Sequence, residues 1–205
     1  GTPPPAVLWA AACGRHEPRL WSPGYQDTIL LNRGQLANMR AYIKDNPRRL
    51  AVKRAHPELF RVVRDLPLCG HSFAAIGNHF LLDVPIKRQV QISRSVSPAA
   101  LAAAEAELLA AAQRGAVLVS PCISPGEKQI ARAALRLQLP LIVILENGFP
   151  ELYKPPKSYF DACAAGRLLM LAPWPYHSER RPITREQCLL LNNFAKQIAQ
   201  NEDTV

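Results

Sequence analysis

Tyr42 and Asn46 stand four residues apart in the segment Tyr42-Ile43-Lys44-Asp45-Asn46-Pro47, a spacing that puts both side chains on one face of a helix. A phenol so placed is a candidate nucleophile, and the amide oxygen of Asn46 is a hard donor of the kind that helps hold Mg²⁺ beside it. The same spacing also suits a half-buried tyrosine ahead of an Asn-Pro helix stop. Around the pair runs a strip of positive charge: Arg40, Lys44, Arg48, Arg49, Lys53 and Arg54, continued by Arg61 and Arg64 and opposed only by Asp45, Glu58 and Asp65. The net charge of +9 is concentrated here, since residues 1–95 hold 14 Lys/Arg against 6 Asp/Glu while residues 96–205 hold 11 against 10. Such a strip can neutralise phosphates, and basic helices also serve as plain solvated faces.

A second set of candidates lies further along. Ser120-Pro121-Cys122-Ile123-Ser124-Pro125-Gly126-Glu127-Lys128 follows an apolar run and opens a helical pattern. Ser124 suits the N-cap, Pro125 the first helical position, and Glu127 the third, where it completes a capping box. An anion at this helix start would be met by Arg94, Ser120, Ser124, Gly126 and Lys128, although a helix capped in this way needs no ligand. No Gly-x-Gly-x-x-Gly follows a strand and no Gly-x-x-x-x-Gly-Lys-Ser/Thr occurs, so dinucleotide and ordinary nucleoside-triphosphate binding lack their glycine-rich loops. Phe149, Tyr153, Lys154, Lys157, Tyr159 and Phe160 mix rings and cations around Pro155-Pro156, either as a platform for single strands or as a lid packed on its own domain. Trp174, Tyr176, His177, Arg180 and Arg181 form a comparable cluster. Five cysteines, odd in number and without a Cys-x-x-Cys pair, indicate neither a disulfide framework nor a zinc knuckle.

The elements that must carry these residues fall into two parts. Residues 1 to about 65 read as a small partial α+β segment, with a strand at Asp27 to Leu31, a helix from Gly34 to Asp45 ended by Asn46-Pro47, and a second basic helix from about Arg48 to Ala55. Residues 66–205 read as an α/β domain. Strands are expected at Phe73 to Leu82 and Gln89 to Ser93. Helices at Pro98–Gln113, Pro125–Leu137, Ser158–Ala164 and Thr184–Gln200 then alternate with apolar runs at 116–120, 141–146 and 167–171. Continuous apolar strands between amphipathic helices mark a mostly parallel sheet covered on both faces, a Rossmann-like architecture with at least four parallel strands. No run approaches the ~18 apolar residues of a membrane span, so a soluble, cytoplasmic protein without a membrane partner is expected.

Gly24-Tyr25-Gln26-Asp27-Thr28-Ile29-Leu30, Gln35-Leu36, Tyr42-Ile43 and Asn46-Pro47-Arg48-Arg49-Leu50 together resemble the end of the nuclease domain of single-tyrosine HUH transposases, above all the REP-associated tyrosine transposases. The resemblance covers about residues 20 to 60 and implies that Tyr42 attacks a DNA phosphodiester and becomes joined to the 5′ phosphate. It further implies Asn46 as the polar ligand of Mg²⁺ or Mn²⁺, and single-stranded or hairpin DNA as the partner held by Arg40, Lys44, Arg48, Arg49, Lys53 and Arg54. The family's His-hydrophobic-His pair is missing, for His16, His56, His71, His79 and His177 include no His-x-His, and Gln26 stands where histidine is common. A fragment or decayed copy, inactive alone, is the resulting expectation, with a homodimer left open. The later half is loosely similar to the Rossmann core of the DNA-processing protein A family, which implies single-stranded DNA binding. It is similar too to lysine-decarboxylase-like nucleotide hydrolases, without their Pro-Gly-Gly-x-Gly-Thr loop. The alternative to a transposase remnant is a non-catalytic Rossmann-like module that binds single-stranded DNA or a nucleotide.

Overall fold

The computed structural model describes residues 33–151, 153–179 and 181–200; the strand expected at Asp27 to Leu31 lies outside them. The chain falls into two compact units, Gly1–Pro47 and Arg48–Val205. Among the described residues no helix is long and apolar enough to cross a membrane.

The second unit is a Rossmann-like α/β domain on a six-stranded, mostly parallel sheet. Its strands are β1 (Val63–Leu68), β2 (His71–Gly77), β3 (Lys87–Gln89), β4 (Val117–Ser120), β5 (Leu141–Ile144) and β6 (Leu168–Ala172), in the spatial order β1-β2-β6-β5-β4-β3. Neighbours from β3 to β6 pair in parallel, whereas β2 runs antiparallel to both β6 and β1. Parallel strands need crossovers, and three helices supply them: α2 (Pro98–Gln113), α3 (Pro125–Arg136) and α4 (Lys157–Ala164). The helix α5 (Arg185–Gln200) follows β6.

Side-chain alternation along the strands divides the core into two layers. Leu118, Leu141, Val143, Leu168 and Met170 point to one face and pack with Ile130, Ala131 and Ala134 of α3 and Phe160 and Cys163 of α4. Val117, Val119, Ile142, Ile144, Leu169 and Leu171 point to the other and meet Leu191, Phe194, Ala195 and Ile198 of α5. Every residue of β4, β5 and β6 is buried, which is why these strands read as unbroken apolar runs rather than as alternation.

Two strands are shorter than the sequence pattern suggests. The strand expected over Phe73 to Leu82 ends at Gly77, because Gly77 has φ +115 and an added Cβ there would collide with the Leu168 carbonyl. Asn78 then accepts from the Phe80 amide at 3.1 Å and starts a 3₁₀ turn over His79–Leu82. The strand expected over Gln89 to Ser93 stops at Gln89. Val90 N still bonds Val119 O at 2.8 Å, but Ile92 N turns to the Glu127 carboxylate.

The largest departure concerns Pro47. A proline inside a helix removes one hydrogen bond and crowds the preceding turn, at a cost of ~3 kcal/mol, so a stop at Asn46-Pro47 was the expectation. Instead α1 (Gln35–Ala55) is a single helix with Pro47 within it. Immediately past the proline, Arg48 bonds Asp161 at 2.9 Å and Arg49 donates to the Pro155 carbonyl at 2.7 Å, while Val52 packs on the core. These tertiary contacts hold the segment helical where local preference would end it.

Candidate functional site

Tyr42 and Asn46 occupy positions i and i+4 of α1, and both are exposed, Tyr42 by 43%. The spacing places phenol and carboxamide on one helix face. Asn46 offers a single hard oxygen, and among the described residues no group of three His, Cys, Asp or Glu side chains could hold a metal ion. A divalent cation needs several oxygen ligands, so the residues described here do not by themselves form the cation site that the transposase resemblance implies.

The basic strip divides by role. Arg40, Lys44 and Arg54 are exposed and Lys53 is half-buried. Arg49, expected to contact DNA phosphate, is instead 9% exposed, with its guanidinium 4.1 Å above the Phe160 ring as well as bonded to Pro155 O. Arg48, read in the same way, lies 5.8 Å over that ring and pairs with Asp161. A buried guanidinium keeps its charge and must be fully hydrogen-bonded; Arg49 is therefore a structural anchor and not one of the solvent-facing cations of the strip. Lys53 joins Arg61, Arg64 and Lys154 around a groove of about 740 Å³ that holds one carboxylate, Glu151.

The capping box at α3 forms as its residues predict. Ser124 Oγ accepts from Glu127 N at 3.1 Å, and Glu127 Oε2 accepts from Ser124 N at 3.1 Å and Ile123 N at 2.7 Å. Glu127 Oε1 takes Ile92 N at 3.2 Å, and the side chain is 2% exposed. The negative group that a helix N-terminus favours is thus supplied from within the chain. Gly126 is small for packing: an added Cβ would meet Ile92 Cγ2 at 2.5 Å and Leu101 Cδ1 at 3.1 Å. Ser120 is buried, and its hydroxyl accepts from the Cys122 amide at 3.2 Å. Arg94 and Ser124 line one hollow of about 440 Å³, whereas Lys128 lines a different one. The five residues proposed as one anion cradle are not gathered around a common point.

The hollow that Lys128 lines is a cleft of about 690 Å³ at the carboxyl ends of β4 and β5, where open α/β sheets place their ligands. Lys128 and Arg132, one turn apart on α3, both line it, as do Tyr159 of α4, Tyr153, Tyr176, Cys122 and Glu146. Among the described residues neither cation has an ion-pair partner. Burial pushes the Tyr159 hydroxyl well above the usual phenol range, and Cys122 and Tyr153 beside it add to the shift. Burial also raises the Cys122 thiol, outweighing the hydrogen bond with Ser120 and the cations Lys128 and Arg132. Cys122, at φ +52, is therefore a protonated wall group and not a thiolate nucleophile. Asn147 is spent on structure: its amide donates to His177 O at 2.9 Å and accepts from His177 N at 3.0 Å, tying the β5 loop to the loop after β6.

The aromatic loop after β5 is largely a lid. Phe149 and Phe160 are each 1% exposed, Phe160 stacks on Phe60 at 4.6 Å, and Phe149 meets Tyr153 at 4.8 Å. Phe149, Tyr153 and Tyr159 all line the cleft. Sequence reasoning missed Arg132, whose signal was its four-residue spacing from Lys128.

By fold and site the molecule is a Rossmann-like α/β protein with a cationic, tyrosine-lined cleft beyond its parallel strands. No known protein family, curated protein or solved structure matches the chain.

Proposed function

We propose that this is a cytoplasmic DNA-handling protein of the single-tyrosine transposase type, in which α1 presents the strand-cutting phenol and the α/β unit binds nucleic acid. The observation that carries the reading is the exposure of Tyr42 and Asn46 one turn apart on α1. In the reaction the Tyr42 oxygen bonds to phosphorus and loses its proton, the bond from phosphorus to O3′ breaks, and the departing O3′ takes up a proton. The strand downstream of the cut remains on the tyrosine through its 5′ phosphate. The groove around Lys53, Arg61, Arg64 and Lys154 is suited to backbone phosphates.

The test uses the product of the native gene and a single-stranded hairpin labelled at its 3′ end, with Mg²⁺ or Mn²⁺. A denaturation-resistant protein band carrying the label is expected, and Tyr42→Phe should remove it. A labelled band that survives Tyr42→Phe sinks the assignment. A second reading, a non-catalytic module for single-stranded DNA or a nucleotide, is favoured by one specific observation: Arg48 and Arg49 beside the tyrosine segment are committed to Asp161, Pro155 and Phe160. Under that reading the native product binds single strands with steep salt dependence and forms no adduct.

A further inference from the structure

We infer that the cleft beyond β4 and β5 is a seat for one nucleotide unit, with its 5′ phosphate on Lys128 and Arg132 and its base against Tyr159 and Tyr176. The inference rests on the nucleic-acid reading above for its ligand class, and is independent of Tyr42.

Three features of the cleft converge on this ligand. Its volume of about 690 Å³ lies within the ~300–1,000 Å³ of small-molecule sites. Its charge is two cations to one carboxylate, and the cations stand one turn apart on the same face of α3, so a single phosphate can bridge them. Its wall carries three tyrosines, Tyr153, Tyr159 and Tyr176, among apolar neighbours that include Ala131, Leu145 and Phe149. Tyr159 is held by the packed helix α4, while Tyr176 is 47% exposed, an arrangement that gives a base one fixed ring and one adaptable ring. Among the described residues the Tyr159 hydroxyl makes no hydrogen bond, which leaves an unused donor on a residue that lines the cleft. Glu146 lies on the wall formed by the β5 loop and can accept from a sugar hydroxyl or base amino group. Its charge disfavours chains of further phosphates, in keeping with the missing triphosphate loop.

A phosphate with a ring attached has two sources: a free nucleoside 5′-monophosphate, or the 5′-phosphorylated end of a single strand. Calorimetric titration of the full chain separates them, using dAMP, a 5′-phosphorylated tetranucleotide, the same tetranucleotide with a 5′ hydroxyl, and inorganic phosphate. The phosphorylated ligands should bind at least ~10-fold more tightly than the 5′-hydroxyl strand, the equivalent of about one charge-assisted contact. Lys128→Ala with Arg132→Ala should weaken them by a further ~10-fold or more, and Tyr176→Leu should cost ~5-fold or more through lost stacking. Both cations and Tyr176 are exposed, so these variants keep their fold, checked by an unchanged unfolding midpoint. Binding of dAMP or of the strand end supports the seat and names its source. Equal affinity with and without the 5′ phosphate, binding unchanged in the double variant, or no binding overturns it. A DNA adduct formed by the parent protein, while neither dAMP nor the phosphorylated strand binds the cleft, would sink the seat and leave the Tyr42 proposal standing. Loss of the adduct in Tyr42→Phe, with dAMP binding intact, is expected.

Discussion

Arg49 offers the sharpest separation between a structural and a DNA-contacting role. Replacing it with alanine removes a charge-assisted hydrogen bond to Pro155 O at 2.7 Å and a guanidinium 4.1 Å over the Phe160 ring. A hydrogen bond with a charged partner is worth about 1.5–3 kcal/mol, and a largely desolvated cation over a ring about 0.5–2 kcal/mol. The loss should be ~2–4 kcal/mol, and at the urea slope of ~1–3 kcal/mol/M common for small proteins it lowers the midpoint by ~1–2 M. Arg49→Lys keeps the charge but not the planar fork, so most of the loss remains. Arg40→Ala, at an exposed position, should shift stability by less than ~0.5 kcal/mol. Hydrogen exchange on the amides of residues 48–55 should quicken in Arg49→Ala, since the helix past Pro47 depends on this anchor. A midpoint within ~0.2 M of the parent, together with weakened DNA binding, would refute the reasoning and restore Arg49 to the phosphate-contacting strip.

Glu127→Gln keeps the shape of the side chain but turns an amino group toward backbone N–H donors that now meet carboxylate oxygens. With buried donors left unsatisfied at about 1–3 kcal/mol each, denaturant unfolding should show a loss of ~2–4 kcal/mol; a neutral result would mean that the Ile92 and Ile123 amides find other partners. His79 supplies a pH dependence. Burial lowers its folded pKa below the ordinary 6.5, and among the described residues its buried Nε2 has no hydrogen-bond partner. Above 6.5 both states hold the neutral ring, so stability is at its full value. As pH falls below 6.5 the unfolded chain takes up the proton first and this contribution is lost. His79→Gln should flatten the decline between pH 6.5 and 5 in midpoint measurements; an identical decline would assign it to other groups.

The α/β unit was legible because its signals are local. Strands β4 to β6 are buried on both faces and so read as apolar runs, and α3 announces itself through Ser124, Pro125 and Glu127. The hairpin of β1 and β2 was not read, since Val63-Arg64-Asp65-Leu66-Pro67-Leu68 has no clean alternation. Its one signal was Cys69-Gly70, which has φ +51 and +66 between the paired residues Leu68 and His71, the two-residue turn that favours glycine. Continuation of α1 through Pro47 was unreadable in principle, because the partners of Arg48 and Arg49 lie more than 100 residues away in the chain. Charge alone does not tell an anchor from a phosphate contact. At the cleft, Lys128 was found from its place at a helix start and Tyr159 from its place among rings and cations, while Arg132 acquires meaning only once α3 is seen to line the cleft.

The two ends of the sheet bear on how copies of this protein could assemble. At one end β1 carries Pro67, which has no amide proton to offer, and a register shift between Val63 and Leu66 where Asp65 has φ +60 and accepts from the Ser72 hydroxyl. At the other, β3 pairs over only three residues. An interrupted margin and a very short one give little template for another backbone, and both are common guards against aggregation. Among the described residues, then, the sheet margins favour self-association through side-chain surfaces over growth of a continuous ribbon from chain to chain.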